Sequence, residues 1–229
     1  MKLKGFIVLC LLLAARYALA TGGMTEVTYM DQEAEGGGYV TRYLVTPRFL
    51  RMDYGRDRDD YVLYDRSEKR AYSINNGRRE VMVFEPGPLH LDPPKEWNIK
   101  EDVLNERNAE KRVDIIVNGT VCSRLTASAR FLPEVAQALM EFQETMAATQ
   151  AATYLATPPE ERDPCDLARL VLEPRRWFKY GLSLDELDNN GFSRRLLNYQ
   201  ADIALRPAIF DIPAGYRQLN LQQIRGEAR

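Results

Sequence analysis

His90 is the only histidine in the 229-residue chain. It lies in a proline-rich stretch, between Leu89 and Leu91. Nucleophilic devices of the Ser-His-Asp or Cys-His kind need an imidazole held by a partner, and a lone loop histidine gives them little support. A multi-histidine metal site is excluded, and no Cys-x-x-Cys pair is present for zinc or for thioredoxin-like redox work. Asp57, Asp59 and Asp60 offer the hard oxygens that calcium uses. Arg56 and Arg58 stand among them and neutralise them, which favours a solvated hairpin tip. Asp185 to Gly191 has the outline of a calcium loop, but Leu187 fills a ligand position and no glutamate stands at the twelfth place. A turn at Asn190-Gly191 accounts for these residues better. Carboxylate pairs can do acid–base work. With 33 acidic residues and no spacing that singles out two of them, a carboxylate-dependent hydrolase is the third choice. The residues predict no catalytic group, no cofactor and no metal.

The compartment decides how the cysteines read. Lys2 and Lys4 supply a positive start, Gly5 to Ala15 is an apolar run, and Ala18-Leu19-Ala20 is a small-residue cleavage site. This is the pattern of a secretory signal peptide over residues 1–20. The run is too short to cross a bilayer, which takes about 20 residues, and no later run is longer. Cys10 lacks the small neighbour that precedes a lipidated cysteine. Cleavage after Ala20 leaves residues 21–229 as one domain, exported to the periplasm, with no transmembrane span. Loss of Lys2, Lys4 and Arg16 takes the formal net charge from −2 to −5. A mildly acidic chain has no electrostatic footprint for nucleic acid. Cys122 and Cys165 then remain in an oxidising compartment. An even count there favours a disulfide over two buried thiols.

The elements that position these residues are mostly strands. Val27 and Tyr29 alternate with polar neighbours, and Tyr39 to Val45, Phe49 to Tyr54 and Tyr61 to Tyr64 are rich in β-branched and aromatic residues. Asn75-Asn76-Gly77 and Asn118-Gly119 each mark a hairpin. The second also forms an N-glycosylation sequence with Thr120, which the turn explains in full. Asp102 to Glu110 is polar and reads as a short exposed helix. Pro133 to Leu155 carries Val135, Leu139, Phe142 and Met146 at helical spacing, with proline in the first turn. Asp163-Pro164 caps a short helix from Cys165 to Leu172. Arg176 to Leu184 and Phe192 to Leu205 read as closing strands. The fold class is α+β, mainly antiparallel β.

Tyr61-Val62-Leu63-Tyr64 and Val81-Met82-Val83-Phe84 place apolar groups on both strand faces. A strand held between two layers would do this, and so would a curved sheet around an apolar hollow.

Three strand segments share one grammar: Phe49-Leu50-Arg51-Met52-Asp53, Tyr61-Val62-Leu63-Tyr64-Asp65-Arg66 and Ala71-Tyr72-Ser73-Ile74. The tail Phe210-Asp211-Ile212-Pro213-Ala214-Gly215-Tyr216 follows the ending Phe-x-Ile-Pro-x-Gly-Tyr. Both resemble periplasmic proteins of the outer-membrane lipoprotein carrier (Lol-type) superfamily. The resemblance implies a curved antiparallel sheet, a half-barrel, with one long and one short helix covering its concave face. It also implies a hollow that takes acyl chains. The chain departs from the carriers by opening with a strand and by a long Ala-rich helix between its two cysteines. The resulting expectation is a non-enzymatic periplasmic binding protein for a lipid, an acyl chain or a polypeptide segment. Tyr43, Leu50, Met52, Tyr61, Leu63, Tyr72, Met82, Phe84, Val135, Leu139, Phe142 and Met146 are the candidate lining, with the inward strand face left open. Leu63→Asp is expected to abolish ligand retention. The alternative is an envelope interaction or assembly protein with a self-filled core, working through an edge strand or the Asp57–Asp60 tip.

Overall fold

Twelve strands form one sheet in the computed structural model, which describes residues 23–220; the signal peptide expected at 1–20 lies outside the described residues. The first six strands are a meander: β1 (Met24–Gln32), β2 (Gly38–Val45), β3 (Phe49–Asp53), β4 (Tyr61–Asp65), β5 (Arg70–Asn75) and β6 (Glu80–Phe84). A second meander comprises β7 (Ile99–Arg107), β8 (Glu110–Val117), β9 (Thr120–Ser128) and β10 (Leu182–Asp188). β11 (Ser193–Ile203) joins the two by pairing with β10 and β1, and β12 (Arg217–Asn220) lies parallel to β6 at one edge. The spatial order is β12-β6-β5-β4-β3-β2-β1-β11-β10-β9-β8-β7, antiparallel throughout except at β12.

Local chemistry sets the turns. Asn118 and Gly119 both have positive φ, at 50° and 89°, which a two-residue hairpin turn requires. Gly181 has φ 97°, and a Cβ there would collide with the Ser128 carbonyl. Only glycine lets the chain enter β10 so close to the end of β9.

Two helices cover one face of the sheet. α1 (Pro133–Ala156) begins on its proline. α2 (Pro164–Asp166) is capped by the Asp163 carboxylate, which accepts from the Cys165 N–H at 2.8 Å, and runs on as a π-helical turn, Leu167–Leu172. A disulfide joins Cys122 on β9 to Cys165 on α2. Alternate residues of each strand serve opposite layers. Tyr29, Tyr43, Val45, Leu50, Tyr64 and Ala71 pack with Val135, Ala138 and Met146 of α1. Val113, Ile115 and Leu125 pack with Ala168 and Trp177. On the other face, Leu44, Leu63, Ile74 and Val81 pack against Phe210, with Ile212 and Tyr216 beside them. The two-faced strands are thus held between layers: Leu63 meets the C-terminal segment while Tyr64 meets Phe142 and Thr145 of α1.

Two segments differ from the sequence expectation. Asp102 to Glu110 is not a helix: it belongs to β7 and to the turn at Asn108-Ala109, where both residues have positive φ. β7 is an edge strand whose residues from Asp102 to Arg107 are exposed on both faces, so that stretch carries no alternation to read. Its charges discourage further pairing at that edge. Arg176 to Leu184 is a strand only from Leu182, because Pro174–Phe178 forms a tight 3₁₀ turn. That turn puts Trp177 under β9, where its Nε1 donates to Ser123 Oγ at 2.9 Å.

Candidate ligand-binding site

Five neighbouring strands, β3, β2, β1, β11 and β10, form the floor of a cavity of about 240 Å³, roofed by α1, the π-helical turn and the 3₁₀ turn. Met52, Leu139, Phe142, Leu170 and Leu182 give it apolar walls. Its polar side is built around Arg194. Asp31, a buried β1 residue, accepts from Arg194 Nε at 2.7 Å and Nη2 at 2.6 Å. The guanidinium lies 5.3 Å from the Tyr29 ring, 5.5 Å from Tyr43 and 5.6 Å from Phe192, within reach of cation–π attraction. Burial would lower the guanidinium's pKa, but the adjoining Asp31 carboxylate holds it above its ordinary value. Arg169, on the π-helical turn, pairs with Glu186 at 3.3 Å. Burial raises both the Tyr29 and Tyr43 phenols, so both remain neutral. The Tyr29 hydroxyl donates to the Ser183 carbonyl at 2.7 Å.

A second hollow of about 320 Å³ adjoins the first, and Met52 and Arg194 border both. Its other walls include Asp31, Tyr39, Tyr54, Val62 and Ser73. Tyr39 and Tyr54 meet edge to face at 6.0 Å. Burial and a hydrogen bond to Glu33 push the Tyr39 phenol up to about 12.

The twelve candidate lining residues divide. Tyr43, Met52, Leu139 and Phe142 line the first cavity. Leu50, Phe84, Val135 and Met146 belong to the core cluster behind it. Met82 falls on the same sheet face as Phe84 but lines neither hollow. Tyr61 borders the second hollow, but it is a buried member of the cluster under Phe210 and its hydroxyl donates to the Asp211 carbonyl at 2.8 Å. Leu63 and Tyr72 are corrections: both pack into the cluster under Phe210, on the opposite face. The one-residue alternation of β4 and β5 puts them there. Arg194, Arg169 and Glu186 escaped the sequence reading, because charged residues on strands and helices ordinarily mark a solvated face.

The Asp57–Asp60 tip is tied into the fold. Asp57 accepts from Arg42 and Arg206, each at 2.7 Å, and Asp60 accepts from the Asn76 N–H at 2.7 Å. Beneath it, fully buried Arg51 donates to Asp53 and to the Ile209 and Asp57 carbonyls.

No helix among the described residues is long and apolar enough to cross a membrane. No protein-family model and no curated protein matches the sequence. Among solved structures, the chain is similar to an uncharacterised conserved protein from Thermus thermophilus, with 9% identity and a TM-score of 0.42 over 87% of this chain and 91% of that one. It is also similar to PNGF-II in two crystal forms, with 9% and 10% identity, TM-scores of 0.38 and 0.36, and 89% and 90% of this chain covered. In both, the match spans 32% of the PNGF-II chain.

Proposed function

We propose that this protein binds the hydrophobic part of a small amphiphile, such as an acyl chain, between its sheet and α1, and that it does so in the periplasm. The observation that carries this reading is the cavity of about 240 Å³ with apolar walls on four elements and a partly buried ion pair at one side. Ligand pockets usually enclose roughly 300–1,000 Å³. The first cavity alone falls short of that range, and the adjoining hollow of about 320 Å³ brings the pair into it. The π-helical turn supports the reading, since such turns are frequent at functional sites and this one supplies Arg169 and Leu170. The strand grammar and tail, which resemble those of Lol-type carriers, support it too. In that reading the sheet curves as a half-barrel around α1 and α2, and the Cys122–Cys165 disulfide fits an exported protein.

The test is native mass spectrometry of protein purified from the periplasm without detergent. Extra mass of lipid size, lost on organic extraction, is expected. Leu170→Asp should abolish that mass while leaving the circular dichroism spectrum intact. A bare protein that takes up no added fatty acid, monoacylglycerol or phospholipid would refute the reading. It would favour an interaction protein instead, for which the open edge of β7, with exposed Val103 and Leu104, is the surface to examine.

A further inference from the structure

Arg194 and Met52 stand where the two hollows meet. The charges at that junction are largely paired, and Asp166, exposed at the rim beside Arg169, is the further acid on the first cavity's wall. Asp31 grips Arg194 through both carboxylate oxygens, and Glu186 answers Arg169. A ligand anion placed against Arg194 would face Asp31 and Glu186. A ligand cation placed against Asp31 would face Arg194 and Arg169. Both repulsions act in a site partly shielded from water, where charges interact far more strongly than in bulk solvent. An uncharged acceptor meets neither. Asp31 takes one N–H at Nε and one at Nη2 of Arg194, and Tyr43 interacts with the same guanidinium, which leaves N–H groups of its five to donate to a carbonyl.

We propose that the ligand is a single-chain amphiphile with an uncharged acyl ester or amide junction, whose carbonyl accepts a hydrogen bond from Arg194. Its chain lies among Met52, Leu139, Phe142, Leu170 and Leu182. Its head enters the second hollow beside Tyr54 and Ser73. The inference rests on the acyl-binding reading above and adds a selectivity to it. A glycerol monoester and an acylated peptide share this junction chemistry.

The test compares three probes of one chain length at pH 7.5, below their micelle concentrations: dodecanoylglycerol, dodecanoate and dodecyltrimethylammonium. Binding is read by calorimetry and by the fluorescence of Trp177, which borders the cavity. The uncharged ester should bind at least tenfold more tightly than either ion. An anion or cation that binds as well as the ester overturns the inference while leaving acyl binding in place. Failure of all three to bind overturns the acyl-binding reading itself. A dodecanoylated dipeptide amide then separates the two sources: tighter binding than the glycerol ester assigns the site to acylated polypeptide, and weaker binding to glycerolipid. The neutral pair Asp31→Asn with Arg194→Gln should lose the preference for the ester. A preference that persists in this variant, with the fold intact, removes Arg194 from the role. The wild-type comparison stands even if the variant does not fold.

Discussion

Replacing Cys122 and Cys165 together by alanine should destabilise the fold by about 4 kcal/mol. The disulfide closes a loop across a sequence separation of 43. In the chain-entropy model, a loop of that size removes about 13 cal/mol/K from the unfolded ensemble, or roughly 4 kcal/mol at 25 °C. Both cysteines are buried, so alanine leaves no polar group unpaired and adds only a small cavity cost. Urea unfolding followed by tryptophan fluorescence measures the difference. The slope of free energy against urea should also rise, because the uncrosslinked chain exposes more surface when unfolded. Thermal scans should show a drop of about 8–16 °C, since about 2–4 °C accompanies each kcal/mol in a domain of this size. Wild-type protein reduced under denaturing conditions and then refolded should match the variant, which separates loop closure from side-chain truncation. A loss below about 1 kcal/mol with an unchanged slope would refute loop closure as the source of stability. Because Cys165 anchors the turn that carries Arg169 and Leu170, the variant should also release bound amphiphile sooner.

Three other perturbations test the layers around the site. Leu63→Asp should abolish folding rather than ligand binding alone, because it buries a carboxylate in the cluster under Phe210 at a cost above about 4 kcal/mol; a folded variant that merely loses ligand would place Leu63 in the cavity. Arg51→Ala should cost about 3–5 kcal/mol in urea titrations, since it breaks a buried pair with Asp53 and strands two carbonyls; a loss below about 1 kcal/mol would mean that Arg42 alone satisfies Asp53. Glu101 is the pH test. Burial would raise its carboxyl, but hydrogen bonds from Lys179, Tyr180 and Arg176 hold it below the usual glutamate range. Its contribution is therefore full above the ordinary glutamate pKa of 4.5 and fades as pH falls through the lower folded value. The stability gap between wild type and Glu101→Gln should narrow between about pH 5 and about pH 3. A gap that stays constant would contradict the ion-pair assignment.

Strands and turns governed by local chemistry were legible in the sequence. Asn118-Gly119, the helix from Pro133 and the Asp163 cap all follow from rules that act within a few residues. What escaped depends on neighbours far along the chain. From Asp102 to Arg107, β7 has no alternation because neither face of that stretch is covered. Trp177 and Phe178 read as strand residues until β9 is seen above them, where Ser123 takes the indole N–H. The same limit applies to the cavity. Met52, Leu139 and Phe142 announce themselves as apolar residues with regular spacing. Arg194 does not, because only its pairing with Asp31, across the β1–β11 ladder, makes it an interior residue. Leu63 and Tyr64 show the remaining ambiguity: both are apolar, and only the position of the Phe210 segment decides which of them faces away from α1.

The seam between β1 and β11 has a consequence for how the molecule assembles. It pairs Met24 with Ile203 and Gln32 with Ser193, whereas the strands on either side of it are built largely from hairpins between chain neighbours. Contacts between residues so distant in sequence close late and slow the search for the native state. The two meanders can therefore form as separate sheets while their common edge is still open. Tyr29, Tyr43 and Met52 come from one of them, and Leu182, Ser183, Glu186 and Arg194 from the other side of the seam. Until the seam zips, each half exposes an apolar face and no floor exists between them. The cavity floor is thus completed only when this seam closes, and slow zipping is the stage at which aggregation would compete.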